Sequence, residues 1–172
     1  MITICIMMVW LWTSTRESGT KNDFSVDIAT YQVPLVFTRP SRDVHTITTR
    51  RCGASGGVVY YANYLKFLER ARTEALRSLG VQQQQLLEET GLAFAVRSVA
   101  AEYLKPARLD DLLQIETSIQ DLGRAQVTFA QSIRRGDETL LTATVHVACL
   151  VLAKGKPAAM PRELHEKFKS LL

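Results

Sequence analysis

The sequence predicts an α+β domain in which an antiparallel sheet packs against one long helix. Three observations carry that class: helical apolar spacing between Gly57 and about Leu79, four segments of alternating apolar residues after it, and short turn-forming links between the last three segments.

The helix is the most secure element. Tyr64, Phe67, Leu68, Ala71, Ala75 and Leu79 recur at steps of three and four, giving one apolar face. Glu69, Arg70, Glu74 and Arg77 populate the other side, with Arg72 counted among the charged positions. Gly56-Gly57 opens the segment as a turn, and Gly80 stands where a helix stops. The glutamine-rich stretch Val81 to Glu89 reads as a short second helix ended near Gly91. The four alternating segments are Phe94–Leu104, Leu112–Leu122, Ala125–Ile133 and Thr139–Leu152. Lys105-Pro106-Ala107, the turn around Gly123, and Arg135-Gly136-Asp137 supply the turn residues between them, the mark of a meander. Pro161 to Leu172 reads as a short amphipathic helix, best taken as a packing or solvated tail.

Upstream of Gly53 the texture changes. Residues 1–52 show little usable periodicity and are read as an atypical N-terminal extension, disordered or translated in a shifted frame; residues 53–172 are read as the folded domain. Thr30 to Thr38 is strand-like but interrupted by Pro34. A strand is expected before the helix, yet the residues leading up to Gly53 read poorly as one. The apolar run Ile2 to Trp12 is too short to span a bilayer and lacks the basic flank of a secretory signal.

Composition narrows the classes. The 172 residues suffice for one domain, and 47% apolar with 22% charged residues is ordinary for a globular chain. A net charge of +4 is carried by scattered basic residues, without the dense basic patch of a nucleic-acid binder. Cys5, Cys52 and Cys149 lie far apart and are odd in number, so neither a disulfide framework nor a zinc site is indicated, and a reducing cytoplasm is the default compartment.

The chemistry-bearing stretch is Gly56-Gly57-Val58-Val59-Tyr60-Tyr61-Ala62-Asn63-Tyr64-Leu65, continued by Phe67, Glu69-Arg70-Ala71-Arg72 and Glu74. A second stretch, Pro106-Ala107-Arg108-Leu109-Asp110-Asp111, follows Val96-Arg97 and Glu102-Tyr103. Together these resemble the hotdog-fold acyl-CoA thioesterases, in particular the YbgC-like enzymes encoded with the Tol–Pal system, relatives of 4-hydroxybenzoyl-CoA thioesterase. The likeness covers roughly Ala54 to Phe168. It implies an antiparallel sheet wrapped around the long helix, a homodimer or homotetramer, and hydrolysis of an acyl-CoA without metal or cofactor. An acyl carrier protein as partner, and a place at the periphery of the inner membrane, follow from the same likeness as expectations.

Local physics agrees with that chemistry. A helix opened by glycines offers unpaired N–H groups with partial positive charge, able to polarise a thioester carbonyl and stabilise its oxyanion. By the resemblance, the backbone N–H of Tyr61 is the expected oxyanion donor, Gly57 and Val58 shape the turn, and Asn63 orients the site. Arg97, Lys105 and Arg108 are candidate contacts for coenzyme A phosphates. One departure stands out. The family's motif is Asp-Thr-Asp, a small residue and a glycine pair; its second Asp, the nucleophile or general base, maps onto Ala54, and its first onto Cys52. A methyl group does neither job. Natural loss of activity is one explanation; a shifted reading frame before about Ala54 is preferred, because codons for Ile47 to Arg51 exist that read Tyr-Asp-Glu-Thr one frame over.

Cys52 lacks a neighbouring His to activate it, and His45, His146 and His165 support no triad. Glu69 and Glu74 are alternative acid–base groups, with helical ion pairing the plainer role. A non-catalytic acyl- or protein-binding module of the same fold is the alternative function.

Overall fold

The long helix forms where the apolar spacing places it: α1 spans Tyr61–Ser78 in a computed structural model of the chain, which describes residues 43–49 and 57–172. The strand-like stretch Thr30 to Thr38, Cys5, Cys52 and Ala54 lie outside the described residues. Tyr64, Leu68, Ala71 and Ala75 form the buried stripe, with Leu76 beside them. Gly80 takes the left-handed conformation at φ +71°. Its N–H donates to the carbonyl of Arg77 at 2.9 Å, and that of Val81 reaches Leu76 at 3.0 Å, so the last carbonyls of the helix are satisfied. The short helix α2, Gln83–Thr90, ends the same way at Gly91.

The sheet is built from β1 (Asp43–Thr48), β2 (Leu92–Tyr103), β3 (Leu112–Leu122), β4 (Gln126–Arg135), β5 (Glu138–Val151) and the two-residue β6 (Lys156–Pro157). Its spatial order is β1-β3-β4-β5-β2, every pairing antiparallel, with β6 against the end of β5. Alternation decides which face is inward. Leu113, Ile115 and Ile119 of β3, Val127, Phe129 and Ile133 of β4, and Leu141, Val145, Val147 and Cys149 of β5 are buried toward α1. Thr142 and His146 of β5 face outward and are exposed. The helix α3, Arg162–Lys169, closes one end of this core by burying Leu164 and Phe168, and Phe168 meets Phe94 edge-on with centroids 6.0 Å apart. A side chain as fully covered as Phe168 or Leu68 contributes roughly 1.5–3 kcal/mol through burial. The C-terminal segment is therefore a packing element.

Two features differ from the sequence reading. The strand before the helix exists: β1 pairs in register with β3, from Asp43 opposite Thr117 to Thr48 opposite Leu112. Its inward positions are His45 and Ile47, opposite Ile115 and Leu113, so a histidine stands where alternation would show an aliphatic residue. Burial, then the positive charge of Arg70, pushes the His45 imidazole below its ordinary pKa, with Glu74 opposing. The second difference is Arg72. It is buried, not part of the solvated charged face, and donates from Nη1 to Oε1 of Gln131 at 2.7 Å. Gln131 in turn donates to the Leu68 carbonyl at 3.0 Å and to Thr117 Oγ1 at 2.8 Å.

Candidate active site at the start of the long helix

The turn into α1 is braced by the loop between β2 and β3. Gly57 sits at φ +74°, in the left-handed region that favours glycine. Val58 bridges to Arg108. The Val59 N–H donates to the Ala107 carbonyl at 2.9 Å, and the Leu109 N–H to the Gly57 carbonyl at 3.1 Å. From below, the N–H of fully buried Ala107 donates to Tyr64 Oη at 2.7 Å. A residue on the buried stripe of α1 thus holds the loop that holds the turn.

Among the described residues, this arrangement leaves the helix start open. Tyr60 occupies the N-cap with extended backbone, makes no capping bond through its side chain, and no acidic residue lies in the first turn. The Asn63 N–H is used locally, donating to the Tyr60 carbonyl at 2.9 Å. The N–H groups of Tyr61 and Ala62 have no acceptor within the helix, and the partial positive charge of its N-terminus gathers there. Tyr103, from the end of β2, fixes the same point by donating its phenol to the Tyr61 carbonyl at 3.2 Å; burial pushes its pKa up. Aromatic rings surround the start: Tyr60 and Tyr61 lie 4.5 Å apart, and Tyr64 meets Tyr103 edge-on at 5.5 Å. Val58, Tyr60, Tyr61, Tyr103, Leu104 and Leu109 all remain exposed, an apolar patch around a cluster of donors.

Of the residues singled out in the sequence, Gly57, Val58, Tyr61 and Asn63 meet at this point, with Arg108 across the bridge from Val58. Ala54 lies outside the described residues. Lys105 is close by, but Glu138 engages its ammonium at 2.6 Å. Arg97 is not brought to the helix start. It is the extra residue of a β-bulge, where pairing with β5 passes from Val96–Val147 to Ser98–His146. Six residues of strand rise put it about 20 Å from Tyr103. Glu74 pairs with Arg77 at 2.7 Å, the helical ion pair its spacing suggested.

Sequence reading missed a polar frame behind the loop. Asp111 Oδ2 accepts the Arg108 N–H at 2.7 Å and Arg135 Nη1 at 2.7 Å. Glu138 accepts from Arg135 and from Lys105. Thr49, fully buried just beyond β1, donates from Oγ1 to the Arg108 carbonyl at 2.6 Å and from its N–H to the Asp111 carbonyl at 3.1 Å. The available signal was the Asp-Asp pair ending the loop; nothing local linked it to an arginine 24 residues on.

Partial burial works against ionisation of Asp111, but the hydrogen bonds from Arg108 and Arg135 outweigh it and hold the carboxyl below its usual range. A depressed folded pKa favours the fold above the unfolded value of 3.8 and loses that contribution as pH falls through the folded value. Urea midpoints of the chain and of Asp111→Asn should therefore differ at pH 7 and draw together as pH falls below 3.8. A gap that persists in acid would show that the charge is not what Asp111 contributes.

Comparison with known proteins fits the turn, helix and loop just described. Residues 56–142, from the glycine turn to the first third of β5, match the family model of the thioesterase superfamily. The acyl-CoA thioesterase YbgC of Haemophilus influenzae is 50% identical over 117 residues, covering 68% of this chain and 86% of that protein. The acyl-CoA thioester hydrolase YbgC of Escherichia coli is 46% identical over 116 residues, covering 67% and 86%. Among solved structures, a probable thioesterase from Bartonella henselae superposes with a TM-score of 0.65 at 34% identity, over 69% of this chain and 98% of that one. The braced glycine turn, the open helix start and the curled antiparallel sheet are those of a hotdog protein, and this chain belongs to the thioesterase superfamily, among the YbgC acyl-CoA thioesterases.

Proposed function

We propose that the chain is an acyl-CoA thioester hydrolase whose oxyanion-stabilising half is intact and whose carboxylate position, 54, carries alanine. The supporting observation is the open start of α1, where uncapped N–H groups at Tyr61 and Ala62 stand beside an exposed apolar patch. With aspartate restored at position 54, its carboxylate activates water or attacks the thioester carbonyl itself. The carbonyl oxygen takes up negative charge against the Tyr61 N–H and the C–S bond breaks. One proton of the water goes to the departing thiolate, giving coenzyme A, and the remaining hydroxyl completes the free acid. In this reading Arg108, across the bridge from Val58, meets a coenzyme A phosphate, whereas Lys105 must first leave Glu138.

The edge of β2 supports a dimer. β2 is twelve residues long and, among the described residues, pairs with β5 alone, and an edge of that length invites pairing with a second copy. Such pairing covers part of the apolar patch at Tyr103 and Leu104. The alternative, an acyl-binding module without catalysis, is favoured by Ala54 itself.

Replacing Tyr61 by proline tests the oxyanion role. Proline at the first helical position fits without breaking the helix and removes only an N–H that has no intrahelical partner. Tyr60, at φ −61° and ψ 133°, already has the backbone preferred before proline. In an Ala54→Asp background, Tyr61→Pro should lower kcat by about a hundred- to a thousand-fold, while Tyr61→Ala, which keeps the N–H, loses far less. Equal losses in the two variants would move the oxyanion donor elsewhere.

A further inference from the structure

We propose that Asp111, held by Arg135, is a positioning residue that sets the end of β1 and the turn into α1, the two flanks of segment 50–56, at a fixed separation. The inference deepens the hydrolase reading and rests on it for its kinetic consequence. Both ends of that segment are tied to the same few residues. Thr49, its upstream neighbour, bonds through its side chain to the Arg108 carbonyl and through its N–H to the Asp111 carbonyl. Gly57 and Val59, downstream, bond to Leu109 and Ala107. The loop 107–111 therefore acts as a template spanning the two flanks of position 54.

That template is rigid because its own ends are fixed. Ala107 is pinned to α1 through Tyr64. At the other end, Asp110 holds a positive φ of 64°, a conformation that costs a non-glycine residue energy unless its surroundings enforce it. The enforcing contacts are the two bonds accepted by the Asp111 carboxylate, one from the Arg108 N–H inside the turn and one from Arg135 on β4. Arg135 is itself braced by Glu138, which also holds Lys105 at the start of the loop. A chain of charge-assisted hydrogen bonds thus runs from the β4–β5 hairpin to the turn at Gly57. Catalysis is sensitive to such supports, since a displacement of about 1 Å at a reacting group can cost roughly a hundred-fold in rate.

Two readouts test this. In the chain as it stands, Asp111→Ala should raise hydrogen exchange at the amides of Thr49, Val59 and Leu109 about tenfold or more. The centres of β4 and β5 and the second half of α1 should change little. Asp111→Asn keeps an oxygen for the Arg108 N–H and should fall between. In the Ala54→Asp background, Asp111→Ala should lower kcat by up to about a hundred-fold with KM nearly unchanged, and Asp111→Asn should recover much of it. Exchange rising evenly through the sheet, or not at all at Thr49 and Val59, would overturn the proposal. So would a folded Asp111→Ala variant of an active Ala54→Asp enzyme that keeps its kcat. If Ala54→Asp itself releases no coenzyme A, the hydrolase reading fails, and the exchange pattern alone decides whether Asp111 positions the two flanks.

Discussion

Replacing Ala54 by aspartate should raise the rate of coenzyme A release by about a hundred- to ten-thousand-fold, the usual worth of a positioned acid–base group. The substitution adds the one carboxylate that the proposed site lacks. Tyr64 holds Ala107, the loop holds Gly57 and Val59, and the start of α1 presents its N–H groups without a capping side chain. None of those contacts involves the side chain at position 54, so a gain of function needs no repacking among them. The gain should appear in kcat, because an acid–base group acts in the transition state and contributes little to ground-state binding. A gain confined to KM would mean that residue 54 touches substrate without taking part in chemistry. The shifted-frame explanation for residues before about 54 makes its own demand: resequencing the coding region should restore the aromatic-acidic approach and the Asp, and a region that reads cleanly as it stands leaves natural loss of activity.

Gln131→Leu should cost about 3–5 kcal/mol of stability, read as a lowered urea midpoint. Gln131 is one of few polar side chains on the inward face of β4, and it supports three groups at once: the Arg72 guanidinium, the Leu68 carbonyl and Thr117. Arg72 is the costly member. Burial pushes its pKa down to about 10, with the charge of Glu69 only partly opposing. Among the described residues Arg72 forms no salt bridge, so the amide oxygen of Gln131 is the partner that makes its burial tolerable. Leucine fills the volume but leaves the guanidinium unanswered, and an unmatched buried donor costs more than the pair contributes. The double variant Arg72→Met, Gln131→Leu should regain most of the loss, because removing both partners removes the desolvation penalty. If the double variant is no more stable than Gln131→Leu, the cost lies in packing around β4 and not in the stranded charge.

Both results bear on what could be read from the chain alone. The long helix and four of the strands were legible because their apolar spacing is regular and their ends carry glycine; Gly80 and Gly91 adopt the left-handed conformation that stops each helix. Strand β1 was not, because its two inward positions are His45 and Ile47 and it lies at the sheet edge, where burial is partial. Arg72 was hidden by its chemistry and not by its position. It falls four residues after Leu68 and three before Ala75, on the buried stripe itself, and only the habit of counting arginine as solvated placed it outside. Gln131 carried a similar signal, a polar residue in the inward row Val127, Phe129, Ile133. At the site, Gly57, Val58, Tyr61 and Asn63 were legible as one turn-and-helix motif. The frame of Asp111, Arg135 and Glu138 was not, since it joins residues that meet only once two hairpins have formed.

The central claim is that this chain holds a thioesterase site complete but for one carboxylate. Its most direct test is coenzyme A release from short-chain, aromatic and long-chain acyl-CoAs by the chain and its Ala54→Asp variant, measured side by side. The variant should turn over at least one class, with the parent slower by about a hundred-fold or more. A parent that turns over as fast as the variant would contradict it and move the catalytic group to Glu69, Glu74 or Cys52.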